Sequence, residues 1–244
     1  MPPVAIVKVG STSTTLLIAD QLAHPHVRQQ QLINLYDPEA EEILLNVARQ
    51  WRGLAEARGA APLAAGGEAL RQNSGLEHAL RQVFSSWWHL SGSQEGRLAW
   101  MAVKAADSGV DAVIDIGGGS TEIITQDRVW SVPFGAARGG DADWPRLDHV
   151  HHPVFIGGTA LALARIRGAW RLTGDDVAAM RESLIRHPEM FHHLDPLRRQ
   201  ILPTGLALMD AILQRNQWSA FGVSDRGLTE GLWLAASLGR AVRL

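Results

Sequence analysis

Short apolar runs alternate along the chain with stretches whose apolar residues recur every three to four positions, so strands and helices are expected in turn. Residues 4–9, apolar but for Lys8, lead into Gly10-Ser-Thr-Ser13 and then into residues 14–19, rich in β-branched side chains. That pattern is strand, turn, strand. Asp37-Pro38 reads as a helix cap followed by proline at the first helical position; Ile43, Val47, Trp51 and Leu54 then recur at helical spacing until Gly59. Residues 63–65 predict a brief strand, and 76–84 and 94–106 predict helices. A second series opens with strands at 110–114, 122–125 and 128–133, a polar loop at 141–152 and a strand at 154–156. Gly157-Gly158-Thr159 then introduces a helix over 160–166. Thr173 with Asp176, Asp195-Pro196, and Ser224 mark three more helix starts, the last helix running to Leu238.

Both series begin with strand, glycine and hydroxyl turn, strand, which predicts an α/β chain of two similar lobes with the two turns facing a cleft. The second turn is the richer: Asp115-Ile-Gly-Gly-Gly-Ser-Thr-Glu-Ile123. Its three glycines let the backbone turn sharply and clear side chains away from a close ligand. Exposed N–H groups in such a turn form a nest for an anion. The carboxylates at its ends, Asp115 and Glu122, would repel a bare phosphate unless a metal intervenes or a water is to be activated. The combination points to chemistry on phosphate; the competing reading is a glycine hairpin without a ligand. It is neither a dinucleotide fingerprint, lacking the G-x-G-x-x-G spacing, nor a Walker A loop, lacking Gly-Lys-Ser/Thr. Gly157-Gly158-Thr159 offers further N–H groups to an anion from a helix start.

Composition narrows the picture. The 244 residues, 46% hydrophobic and 20% charged, suffice for one large domain or two small ones. A net charge of -2, from 23 basic and 25 acidic residues, gives no general surface for a nucleic-acid polymer. Cysteine is absent, which excludes disulfides, thiolate catalysis and Cys-ligated zinc. No 18-residue apolar run or charged leader is present, so neither a membrane partner nor export is expected and the cytoplasm is the default. The nine tryptophans are scattered rather than periodic and are expected in cores and interfaces. His149, His151 and His152, and His192 and His193, lack the H-E-x-x-H form and read as solvated loops.

The chain resembles the exopolyphosphatase and guanosine-pentaphosphate phosphohydrolase family. The resemblance rests on SGSQEGRL at 91–98, DIGGGSTEI at 115–123, VPFGA at 132–136, IGGTALALA at 156–164 and VSDRGLTEGL at 223–232, in the family's order. It implies the actin-like fold, with ribonuclease-H-like lobes at residues 1–109 and 110–244, an interlobe cleft, and a final helix packing back on the first lobe. It also implies hydrolysis of a phosphoanhydride with Mg²⁺, or Mn²⁺ in its place. By the same resemblance Glu95 is the catalytic base, and Asp115 and Glu122 are catalytic and metal-holding acids. Ser11, Thr12, Gly117, Gly118, Gly119 and Ser120 cradle phosphate. Gln94 replaces the first of a glutamate pair, Val9 stands at a family aspartate, and Ala69 stands at a phosphate-clamping arginine with Arg71 two positions on. The short chain and the lack of a basic tract favour compact substrates over long polymers. The expected partner is a phosphorylated small molecule or short polyphosphate, with a homodimer allowed. A catalytically degenerate phosphate- or nucleotide-binding regulator is the alternative.

Overall fold

A computed structural model describes residues 3–239. A near-continuous apolar run at Val4–Val9, buried on both faces, makes the central strand β1, paired antiparallel with β2 (Ser13–Ala19), itself paired antiparallel with β3 (Val27–Leu32). On the other side of β1, β4 (Pro62–Gly66) and then β5 (Ser86–His89) pair in parallel. Parallel neighbours need long crossovers. These are supplied by α1 (Ala40–Glu56), and by the short α2 (Glu68–Arg71) with α3 (Ser74–Val83). The order is therefore β3-β2-β1-β4-β5. After α4 (Gly92–Ala106) the pattern repeats: β6 (Ala112–Ile116), β7 (Thr121–Ile124) and β8 (Val129–Val132) form the antiparallel part. Next come β9 (Pro153–Ile156), α5 (Gly158–Arg167), β10 (Arg171–Thr173), α6 (Gly174–Arg186), α7 (Pro196–Asn216), β11 (Ala220–Val223) and α8 (Leu228–Ser237). The second sheet runs β10-β11-β9-β6-β7-β8. Apart from the edge strand β10 it has the same order as the first, the ribonuclease-H-like order twice in one chain.

The chain divides into two compact units, one running through Ala102 and completed by the helix α8, the other from Val103 to Gly227. In the first, Val7, Val9, Leu16 and Ile18 face α1 and α3, while Ile6, Leu17 and Ala19 face Leu98 of α4 and Leu232 and Trp233 of α8. The second unit has its own core around Ile114, Phe155, Leu163, Leu206 and Phe221. Among the described residues no helix is long and apolar enough to cross a membrane.

Several local expectations change. The buried stripe of α1 is Ala40, Leu44, Ala48, Trp51 and Ala55, not the face through Ile43, which is 46% exposed. Small alanines let this helix sit close to the sheet, which decides its rotation over the larger apolar side chains. Asp37 does not cap α1; the cap position is Glu39, without a side-chain bond. Ser224 accepts from the N–H of Arg226 in a turn ahead of α8 rather than capping it. The polar edge strand β3 carries no apolar alternation, so the pattern gives no sign of it. Trp51, Trp144 and Trp233 are buried as expected, but Trp170 is largely exposed.

Candidate active site

In the second unit, β6 and β7 are joined by a turn closed by Gly117 N–H to Ser120 O at 3.0 Å. The segment after β8 braces it: the N–H groups of Ala136 and Ala137 donate to Gly117 O and Gly118 O at 2.8 and 2.9 Å. Thr121 Oγ1 donates to Phe134 O at 2.7 Å. With its carbonyls held from behind, the turn leaves the N–H groups of Gly118, Gly119 and Ser120 without acceptors among the described residues. Three consecutive donors are an anion nest.

Asp115 and Glu122 are directly opposed across the β6–β7 ladder, so their side chains share a face. Glu122 is buried, and its Oε1 accepts from Ser131 Oγ at 2.8 Å. Asp115 is half-buried and reaches the start of α5, where a Cβ on Gly157 would lie 2.9 Å from its Oδ1. Gly157 has φ +90, a conformation few other residues adopt. One residue on, a Cβ on Gly158 would collide with the Arg198 guanidinium of α7. Asp195 caps α7 and brings Arg198 to this place. Burial lowers the pKa of the guanidinium; the Asp195 carboxylate opposes that and the Arg165 guanidinium adds to it. The Arg198 side chain has no hydrogen-bond acceptor among the described residues. A half-buried, under-compensated cation at a helix N-terminus favours an anion there. Sequence reasoning missed Arg198; the only signal was the Asp195-Pro196 helix start.

Among the described residues no three His, Asp or Glu side chains gather into a metal cage. Mg²⁺ is commonly held by one or two carboxylates and completed by phosphate oxygens and water. The opposed pair Asp115 and Glu122 suits that mode.

In the first unit, Gly10 N–H bonds Ser13 O at 3.0 Å, and the segment after β3 braces the turn through Leu35 N–H to Ser11 O at 2.8 Å and Ile33 N–H to Thr12 O at 3.2 Å. The closing bond repeats Gly117 N–H to Ser120 O, and the strand registers agree, Val9 opposing Thr14 where Ile116 opposes Thr121; the bracing bonds fall one carbonyl further along. Gly10 thus corresponds to Gly117, and the residue corresponding to Asp115, two positions earlier, is Lys8. The family aspartate assigned above to Val9 belongs by this equivalence to Lys8. Val9 is 2% exposed in the core under α1. Ser11 and Thr12 are buried in the turn.

Glu95 lies in the first turn of α4. Its carboxylate occupies the space a side chain at Gly67 would fill, so a larger residue there would push the carboxylate aside. Arg71 Nη1 donates to Glu95 Oε1 at 3.0 Å and to Leu90 O at 2.6 Å. Arg71 is therefore directed at the carboxylate, whereas Ala69 is buried. Gln94 has a structural part: Ser91 N–H donates to Gln94 Oε1 at 2.9 Å, and Gln94 N–H to Ser91 Oγ at 3.2 Å, a reciprocal capping box.

Solved structures carry the same architecture over nearly the whole chain. An exopolyphosphatase from Cytophaga hutchinsonii, 18% identical, superposes with a TM-score of 0.83 over 98% of this chain and 99% of that one. The chain has the exopolyphosphatase fold. The PPX-GPPA enzyme of Aquifex aeolicus, 20% identical, gives a TM-score of 0.76 over 96% and 99% of the two chains. The resemblance carried by the glycine turns thus meets a likeness of fold. No family model matches the sequence, and no curated protein does.

Proposed function

We propose that the protein is a phosphoanhydride hydrolase, releasing phosphate from a short polyphosphate or a pppGpp-like nucleotide by attack of water. The observation that carries this reading is the row of unpaired N–H groups at Gly118, Gly119 and Ser120 beside the opposed carboxylates Asp115 and Glu122. The fold shared with exopolyphosphatases supports it.

In this reading the nest binds non-bridging phosphate oxygens and stabilises the charge that develops on them. Arg198, under-compensated in its half-buried place, attracts the same anion. Glu95 accepts the proton of the attacking water. The new P–O bond forms as the anhydride P–O bond breaks, and the shorter phosphate leaves with the bonding electrons. Asp115 and Glu122 would hold Mg²⁺, which when bound supplies charge neutralisation and polarises water.

Phosphate release from tripolyphosphate and from pppGpp, with Mg²⁺ and with Mn²⁺, tests the proposal. Removing a general base costs about 10²–10⁴-fold, so Glu95→Gln is expected to lower kcat by that order with its fold intact. Equal release by both proteins would remove the assignment.

One observation favours a second reading, a phosphate- or nucleotide-binding regulator: the Arg71 guanidinium engages the carboxylate that must take the proton. No release with either metal, together with saturable binding of the same compounds, would select the regulator.

A further inference from the structure

Three of the described histidines stand against a carboxylate, and only one of those carboxylates is buried. The side chains of Asp20 beside His26 and Glu189 beside His187 are 50% and 63% exposed, whereas that of Glu77 beside His89 is 11% exposed. Exposed pairs are loosely held. Glu77 is fixed: its Oε1 accepts from Arg81 Nη2 at 2.7 Å, Arg81 Nε at 3.2 Å and Trp87 Nε1 at 2.9 Å. His89 Nδ1 lies 2.9 Å from Oε2 and 3.0 Å from Oε1. All four residues belong to the first unit, two on α3 and two on the edge strand β5. Burial works against the charge on Glu77, but these bonds outweigh it and hold its pKa below the ordinary carboxylate range. An ionised carboxylate only accepts, so the neutral imidazole carries its proton on Nδ1. Nε2 then presents a lone pair. It has no partner among the described residues, and the side chain is 41% exposed. Arg81 meets the same carboxylate oxygen through Nε and Nη2, while its Nη1 has no acceptor among the described residues. His89 pairs with Gly66 at the carboxyl ends of the parallel strands β4 and β5. Ligands of open α/β sheets bind outside such ends.

We propose that His89 is a phosphoryl-accepting histidine, oriented by Glu77 and modified on Nε2 by a phosphoanhydride. Nε2 attacks the terminal phosphorus. The P–N bond forms as the anhydride P–O bond breaks, and the shortened phosphate leaves with the bonding electrons. No proton has to depart, because Nε2 carries none. The positive charge left on the ring is balanced by the Glu77 carboxylate, as a triad carboxylate balances its imidazolium. The Arg81 guanidinium attracts the anionic donor. The donor class is taken from the hydrolase reading, but no turnover through Glu95 is needed.

The test incubates the full chain with tripolyphosphate and Mg²⁺ and maps its peptides at alkaline pH, with the nine other histidines as internal controls. An acid-labile phosphoryl group is expected on the peptide carrying His89, as the Nε2 isomer by phosphorus NMR, at least about tenfold above any other histidine. Glu77→Gln no longer fixes the tautomer and should slow the labelling by at least about tenfold, with circular dichroism verifying its fold. No label at His89, label spread evenly over the histidines, or the Nδ1 isomer would each overturn the proposal without any variant having to fold. Undiminished labelling of folded Glu77→Gln would overturn it too. The outcome is separable from hydrolysis. Label at His89 in the wild type and in Glu95→Gln, without phosphate release from either under any metal, would keep the acceptor and sink the hydrolase. Glu95-dependent release without label at His89 would do the reverse.

Discussion

Close approach decides much at the scale of single residues. Gly158 leaves room for the Arg198 guanidinium, and Gly158→Ala should push that flexible end aside at a cost within about 0.5 kcal/mol. Urea unfolding measures the change. Glu77 on α3 makes a second case. Its carboxylate accepts from Arg81 Nη2 at 2.7 Å and Trp87 Nε1 at 2.9 Å, and His89 Nδ1 lies 2.9 Å away. Burial works to raise its pKa, but the hydrogen bonds from Arg81 and His89, the His89 charge and the Trp87 bond outweigh burial and hold it below the ordinary value. A carboxyl with a depressed pKa in the folded state contributes stability above its unfolded pKa of about 4.3, and that stability is lost as the pH falls through the folded pKa. Glu77→Gln should therefore be less stable at pH 7, by about 1–3 kcal/mol. The difference from wild type should shrink in urea titrations run at progressively lower pH below the ordinary carboxylate range.

Elements were legible where their signals are local. The Thr173–Asp176 capping box, the Asp195-Pro196 start of α7 and the strands flanking both glycine turns stand where the pattern places them. The rotation of α1 was not legible, because apolar spacing fits two adjacent faces and only packing against the sheet chooses between them. Leu44→Ala should cost about 2–5 kcal/mol, as a buried leucine does. Ile43→Ala should change stability by only about 0.5 kcal/mol. Chemical denaturation of the two variants measures which face is inside. Gln94 reads as a lost acid in sequence and as half of a capping box in the structure. Its replacement by alanine should lower stability by about 0.5–2 kcal/mol, with that loss seen as faster amide exchange in the first turn of α4.

At the scale of the whole molecule, the last helix belongs with the first unit. A Cβ on Gly231 of α8 would collide with the backbone of Leu98 in α4. Trp233 Nε1 donates to Ala19 O at 3.0 Å, and the buried Glu230 pairs with Arg28 of β3. Gly231→Val should therefore loosen the first unit selectively. Hydrogen exchange should quicken across β1, β2 and α4 while β6, β9 and α7 keep their protection. Equal loss in both units would show that they unfold as one.

The sequence alone determined the repeated strand–turn–strand units and the second turn, because glycine runs and alternating apolar residues act through the local backbone. It also carried the family likeness that the shared fold supports. Only the tertiary structure decided which side chains meet. Arg198 reaches Gly158 across 40 residues, Arg71 finds Glu95 across 24, and Lys8 rather than Val9 is revealed as the counterpart of Asp115. Those outcomes depend on which face of a strand or helix is buried and on where separate elements end. Neighbouring residues do not encode that; it is set when the sheets and helices pack.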